Sequence, residues 1–190
     1  MEELKQAIEK WGTVPAEGVV KVDSFLNHRI ETGLMIRMGK ALADAFRQEG
    51  PDLILTVEAS GIALALATAA ALGDIPVVFA KKGSTLVQNK AVAETKIFSF
   101  TRQQEVAIRV ERDYLPEGSK VLIVDDFLAN GSAVRGMIAL CRQQNCEVCG
   151  IGIAVEKGFQ QGGKALREQG LNVVSLAIID GIRDGKILLR

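Results

Sequence analysis

The chain carries a single histidine, His28, only three cysteines, and no excess of either charge: Lys plus Arg number 23 and Asp plus Glu number 23. Each shortage closes off a class of function. One imidazole together with Cys141, Cys146 and Cys149 leaves the Cys146-x-x-Cys149 pair without a second ligand pair, so no metal site is expected and the thiols read as buried and reduced. A formal net charge of zero removes the broad basic surface of a protein that coats nucleic acid. Long hydrophobic runs are missing as well, since Ile62 to Leu72 extends for only about a dozen residues, against roughly 20 needed to cross a bilayer. The first residues alternate acids and bases (Glu2, Glu3, Lys5, Glu9, Lys10) where a secretory signal would have a basic stub and an apolar stretch. A cytoplasmic protein with no membrane and no nucleic-acid partner is therefore expected.

What is present is enough for one real core. The 190 residues and 20.4 kDa, 48% hydrophobic and 24% charged with a mean hydropathy of +0.18, fit one α/β domain spanning residues 1–190. No internal repeat, low-complexity tract or linker divides it. Glu2 to Trp11 spaces Leu4, Ala7, Ile8 and Trp11 as one helical face, and Gly12 stops it. Thr32 is placed to cap a longer helix through Leu34, Met35, Met38, Leu42 and Phe46, which Gly50-Pro51 ends. Leu53 to Val57 reads as a buried strand, Ser60 to Leu72 as a helix, and Pro76 to Ala80 as a second buried strand, which together make a βαβ unit. From Gly83 to Glu94 periodicity fails, so this stretch is a candidate lid. Lys96 to Phe100 and Val106 to Val110 alternate with period two as an antiparallel hairpin. Strand and helix then alternate: Val121 to Val124, Ser132 to Gln144, Val148 to Val155, Gly163 to Gln169, Val173 to Ile179. The whole reads as an α/β fold, a parallel sheet flanked by helices with one hairpin insert.

The chemistry concentrates in Val121-Leu122-Ile123-Val124-Asp125-Asp126-Phe127-Leu128-Ala129-Asn130-Gly131-Ser132. Four apolar residues make a central strand, two carboxylates follow at its C-terminal edge, and a loop through Gly131 enters a helix. Ligands bind at that edge of an open α/β sheet, and the N–H groups of the first helical turn attract an anion. Asn130 and Ser132 add donors, and Gly131 lets the backbone approach closely. A carboxylate pair that only ended a strand and capped a helix would be better solvated than these two can be. Acids beside an anion loop suit a ligand with both hydroxyls and a phosphate, such as a ribose 5-phosphate.

This segment resembles the phosphoribosyl pyrophosphate (PRPP) signature of type I phosphoribosyltransferases. Taken with Val22-Asp23-Ser24-Phe25-Leu26-Asn27-His28, Glu58-Ala59-Ser60-Gly61-Ile62 and Glu156-Lys157-Gly158-Phe159-Gln160, the chain is similar over nearly its full length to the Gram-positive, xanthine-using branch of that family. It departs from the wider pattern at Asn130, where the common signature has Thr, and at Ala129, where hypoxanthine-guanine enzymes place an acidic base. No side-chain base is expected from this loop.

The resemblance implies a set of roles. Asp125 and Asp126 would accept hydrogen bonds from the ribose 2- and 3-hydroxyls, and Ala129, Asn130, Gly131, Ser132 and Ala133 would wrap the 5-phosphate. Glu58, Ala59, Ser60 and Gly61 would form the pyrophosphate loop, which in this superfamily often holds a cis peptide. Lys81 and Lys82 end the next strand at the same edge, either neutralising the diphosphate or standing as solvated surface lysines. The Gly83 to Glu94 stretch matches the flap that closes over PRPP. Val20 and Asn27 fall at purine-contacting positions, and Lys157 would donate to a 6-oxo group unless it is merely solvated. Phe127 and Phe159 either pack on the base or belong to the core. His28 is read as structural. Mg²⁺ would arrive mainly on PRPP and pyrophosphate, and the small hood over the base would come from residues near 1–35 and 156–190. The resemblance further implies a homodimer and the formation of xanthosine 5-monophosphate from xanthine and PRPP in purine salvage. A sister enzyme for guanine or hypoxanthine, or a PRPP-sensing regulator of the same fold, are the alternatives, although zero net charge and this length supply no obvious nucleic-acid surface.

Overall fold

Runs such as Leu53-Ile54-Leu55 and Leu122-Ile123-Val124 offer no polar face to water, and strands of that kind persist only when covered on both sides. They are covered in this way in the computed structural model, which describes residues 1–16, 18–83, 91–99 and 104–190. The elements run α1 (Glu2–Trp11), β1 (Thr13–Ala16), β2 (Val19–Lys21), α2 (Thr32–Phe46), β3 (Leu53–Val57), α3 (Gly61–Ala71), β4 (Val77–Lys82), β5 (Val92–Ser99) and β6 (Gln104–Glu111). They continue with β7 (Lys120–Leu128), α4 (Ser132–Gln143), β8 (Glu147–Lys157), α5 (Gly162–Glu168), β9 (Val173–Arg183) and β10 (Lys186–Leu189). The main sheet has the order β10-β9-β8-β7-β3-β4-β6-β5. Its five central strands are parallel, and β10, β6 and β5 pair antiparallel at the two flanks.

Alternation along each strand divides the core into two layers. Ile54, Leu122 and Val124 face α1, α2 and α3 with Leu4, Ile8, Leu42, Phe46 and Leu64, while Leu53, Leu55 and Ile123 face α4 and α5 with Met137, Leu140 and Leu166. Met35 and Met38 are buried core filler. Cys141 is buried and Cys146 and Cys149 half-buried, all unbridged; burial pushes the Cys141 thiol up to about 12 and that of Cys149 to about 11, so both stay protonated at neutral pH.

Several boundaries differ from the sequence expectation. The strand expected to stop at Val124 runs on to Leu128, with Asp125 opposite Ile153 and Leu128 opposite Glu156, because the ladder to β8 continues past the apolar run. Likewise β4 reaches Lys82, β8 reaches Lys157 and β9 reaches Arg183. Residues 92–94, assigned to the lid, are the start of β5, and 84–90 lie outside the described residues. The helix expected to be capped by Thr32 does start there, but Glu31 occupies the cap position and no side chain bonds to the free N–H groups. Within residues 1–35, expected to supply the N-terminal part of a hood, lie a two-stranded antiparallel ribbon of β1 and β2 and a single π-helical turn, Asp23–Asn27. Within 156–190, expected to supply its C-terminal part, lies the β9–β10 hairpin, whose Ile187 touches Gly12.

Helices α2 and α3 meet through Gly39, where a Cβ would lie 2.5 Å from the Ala67 carbonyl carbon and 2.7 Å from its oxygen. Gly39→Ala would gain about 1 kcal/mol in helix propensity, yet the rigid backbone opposite cannot yield, and overpacking of this kind costs about 2 kcal/mol. The expected outcome is a melting temperature lower by a few degrees in thermal denaturation; an unchanged or higher value would mean that the helices separate without cost.

Candidate active site

Strands β3 and β7 are parallel neighbours, so their C-terminal ends open at the same sheet edge. Asp125 and Asp126 sit there, 4% and 7% exposed. The Asp126 N–H donates to Asp125 Oδ1 (3.0 Å), and Asn27 Nδ2, at the end of the π-helical turn, donates to Asp126 Oδ2 (3.2 Å). Gly61 opens α3 so close beside them that a Cβ would lie 2.3 Å from Thr56 Oγ1 and 2.9 Å from Asp125 Oδ1. Burial first, then the adjacent Asp126 charge, holds the Asp125 carboxyl well above the usual carboxylate range, with Lys82 opposing.

Beyond β7 the chain turns through residues 129–131 into α4. Asn130 Oδ1 accepts from the Ser132 N–H (3.1 Å), and Gly131 takes the left-handed conformation, φ 82°, that this turn requires. The turn is seated on α5: Gly162 N–H donates to the Ala129 carbonyl at 3.1 Å. A cleft of about 210 Å³ opens here, lined by Val57, Lys82, Phe98, Phe127 and residues 128–134. Free N–H groups at the start of a helix facing such a cleft attract an anion. Ser132 Oγ also accepts the Phe98 N–H (2.9 Å), tying the β5–β6 hairpin to this helix start.

The loop after β3 carries Glu58, Ala59, Ser60 and Gly61, and its Glu58–Ala59 peptide bond is cis. Glu58 Oε1 accepts the Lys82 N–H at 2.6 Å, joining this loop to the end of β4. Alternation along β4 separates the two lysines. Lys82 lines the cleft beside the 129–131 turn, whereas Lys81 lines a separate groove with Phe79, Arg109 and Tyr114.

On the hood side, Lys157 Nζ stands 5.9 Å from the Phe127 ring centroid and donates to the Gly18 carbonyl at 3.3 Å. Burial lowers the pKa of this ammonium. Val20 is buried in β2, and Asn27 reaches the acid pair while its Oδ1 is buried without a hydrogen-bond partner among the described residues. The structure thus brings Asn27, Asp126, Phe127 and Lys157 to one region. Phe159 is not brought into it, standing 38% exposed in the turn after β8. Three participants went unread in the sequence. Thr56 was taken as one more strand residue, yet its Oγ1 is buried beside Asp125 without a hydrogen-bond partner among the described residues. Gly162 supports the 129–131 turn, and the Gly162-Gly163 dipeptide was the available signal of a close backbone approach. Glu156, noted only as Lys157's neighbour, is a buried carboxylate in an ion pair with the partly exposed Arg167.

The phosphoribosyl transferase domain model matches residues 27–176. A xanthine phosphoribosyltransferase of Bifidobacterium adolescentis is 48% identical over 96% of this chain and 94% of its own length. Another, from Heliobacterium modesticaldum, is 48% identical over 99% of each. Among solved structures, an adenine phosphoribosyltransferase from Thermoanaerobacter pseudethanolicus superimposes with a TM-score of 0.74 at 24% identity, covering 93% of this chain and 98% of that one. The adenine phosphoribosyltransferase of Trypanosoma brucei gives 0.76 at 18%, covering 92% and 78%. At those identities the structural likeness speaks for the fold alone.

The raised Asp125 pKa has a signed consequence for stability. Below about pH 4 the carboxyl is neutral in the folded and unfolded chain alike, and above it only the unfolded chain ionises freely, so folding loses stability as pH rises toward the folded-state value. Asp125→Asn keeps an oxygen for the Asp126 N–H and removes that loss. Its melting temperature is expected to match the wild type near pH 3 and to exceed it increasingly toward neutral pH. A variant less stable than wild type at pH 7 would contradict the assigned burial penalty.

Proposed function

The chain belongs to the phosphoribosyltransferase family, and on that premise we propose that it joins xanthine to PRPP, releasing xanthosine 5-monophosphate and pyrophosphate. The observation that carries the reading is one juxtaposition: an acid pair, a helix-start cleft and a half-buried lysine beside an aromatic ring share one sheet edge. The near-full-length identity to named xanthine phosphoribosyltransferases supplies the base. In the reaction a purine nitrogen bonds to the anomeric carbon as its bond to the diphosphate oxygen breaks. The diphosphate leaves with the electron pair, and the proton shed by the purine nitrogen passes to the departing diphosphate or to solvent.

Each group has a task that suits its surroundings. Asp125 and Asp126 accept the ribose hydroxyls and hold the sugar against the sheet edge. The N–H groups of residues 129–133 take the 5-phosphate, with Gly131 permitting the approach. The loop Glu58-Ala59-Ser60-Gly61 takes the diphosphate, and Lys82, with Lys81 on the far face of the same strand, adds positive charge. Asn27, Val20, Phe127 and Lys157 receive the base. Asp126 and Glu58 are hard oxygen donors that would help hold a Mg²⁺ ion arriving on the diphosphate, where it would neutralise charge on the leaving group.

The same reading makes the protein a cytoplasmic homodimer. Unbridged cysteines suit a reducing compartment. The groove of about 560 Å³ containing Phe79 and Val92 has Lys81 and Arg109 toward one end and Glu111 and Asp113 toward the other, so a second copy related by a two-fold axis would set unlike charges opposite each other.

Two measurements test the assignment. Product formation from PRPP and Mg²⁺ with each base in turn should rank xanthine first, guanine and hypoxanthine about tenfold to a hundredfold lower, and adenine undetectable. Lys157→Ala should raise KM for xanthine far more than KM for PRPP. Adenine as the best substrate would overturn both the base and the role of Lys157. In the second measurement, Asp125→Asn combined with Asp126→Asn should cost about 3 kcal/mol of transition-state binding, about a hundredfold in turnover. The melting temperature of the double variant, measured beside its turnover, separates a loss of chemistry from unfolding. Near-normal turnover in the double variant would remove the acids from the reaction.

A further inference from the structure

Between Lys157 and the 129–131 turn lies a charged pair to which the proposed reaction gives no task. Glu156 is 4% exposed, and Arg167 grips it with two parallel hydrogen bonds, Nη1 to Oε1 at 2.8 Å and Nη2 to Oε2 at 2.7 Å, while Ser175 Oγ donates to Oε2. Burial acts to raise the Glu156 pKa, but Arg167 and Ser175 bring it below the usual carboxylate value, so the pair is ionised at neutral pH. A buried ion pair adds little stability over a well-packed apolar pair, so its geometry is the better guide to its use. Glu156 precedes Lys157 on β8. Gly163, at the start of α5, lies so near it that a Cβ would fall 2.0 Å from Glu156 Oε1. The adjacent Gly162 abuts the turn beyond β7, where a Cβ would fall 2.2 Å from the Ala129 oxygen and 2.6 Å from the Gly131 nitrogen. The start of α5 therefore touches both the strand that bears the lysine and the turn that faces the anion cleft.

We infer that Glu156 and Arg167 are positioning residues: their ion pair seats α5 between β8 and the 129–131 turn and thereby sets the spacing between Lys157 and the amides of residues 129–133. The inference rests on the transferase reading for what that spacing serves, and its test includes a readout independent of catalysis. The comparison is wild type, Arg167→Met, Arg167→Lys and the double variant Glu156→Gln with Arg167→Met. Three quantities are measured on each: melting temperature, hydrogen exchange at residues 129–133, and PRPP affinity by calorimetry.

Arg167→Met alone leaves a buried carboxylate uncompensated and should melt lower, and the double variant should recover most of that loss. A merely structural pair would then be fully restored. A positioning pair would not: in the double variant exchange at residues 129–133 should stay about tenfold faster, and PRPP should bind about tenfold more weakly. Arg167→Lys, which keeps charge but not the fork, should fall between. Wild-type exchange and affinity in the double variant, or in Arg167→Lys, would overturn the inference. A wild-type protein that bound no PRPP would instead sink the transferase reading, with the exchange rates still deciding the clamp.

Discussion

Gly61 has no side chain because two oxygens occupy the place where one would begin. Thr56 Oγ1 and Asp125 Oδ1 both lie within 3 Å of its would-be Cβ, so the start of α3 rests directly on the strand that carries the acid pair. The layer behind it depends on similar contacts. Further along α3, Ala67 fills the notch left by Gly39 on α2, and at the end of α2 the Phe46 ring fills the space left by Gly150 on β8. A substituent at any of these points would lift a helix off the sheet, and at Gly61 the lifted end faces Asp125. The same closeness brings the N–H groups at the start of α3 toward a dehydrated carboxylate, where the positive end of a helix dipole offsets part of the cost of keeping charge there.

That cost runs through the rest of the edge. Two adjacent acids sharing 4% and 7% exposure repel each other and lack water, and a chain selected only for stability would have replaced one of them. The partners they have are few: Asn27 on Asp126, the Asp126 N–H on Asp125, and the field of Lys82. A ligand that donates hydroxyl hydrogens supplies what the fold withholds. The Ala129–Gly162 hydrogen bond and the Ser132–Phe98 hydrogen bond then hold the neighbouring turn in place from two independent elements, α5 and the β5–β6 hairpin.

Much of this was legible in the residues alone, and the gaps have physical causes. Buried strands announce themselves as apolar runs, so 53–57 and 121–124 were readable, but a run cannot signal a strand that carries on with polar side chains. The β7 ladder therefore extends through Asp125 and Asp126 unannounced. The ribbon of β1 and β2 is four and three residues long, contains Pro15 and slips register, which leaves no periodicity to detect. The β9–β10 hairpin was legible and missed: Asp184-Gly185 is a two-residue turn signal, and both residues have positive φ, 51° and 71°. At the site, the acids, the Asn-Gly-Ser turn and Lys157 could be read by residue type. The buried Thr56 hydroxyl and the Glu156–Arg167 pair could not, because their meaning lies in partners supplied by other elements.

The two kinds of relative divide the molecule in an instructive way. Enzymes named for adenine share its fold at 18–24% identity, and enzymes named for xanthine share its sequence at 48%. At those identities the first likeness speaks for the fold, and in the proposed reaction the choice of base falls to particular side chains. Lys157 is suited to making it. An ammonium offers three donors and no acceptor, and this one is partly dehydrated, with the Gly18 carbonyl in reach and an aromatic ring beside it. An exocyclic carbonyl oxygen presented to it satisfies a donor that water no longer serves. An amino group in the same place sets donor against donor, and leaving such a group unpaired costs about 1–3 kcal/mol. On the proposed assignment the preference follows from withheld solvent as much as from contact, since an ammonium on an open surface would keep water for every donor.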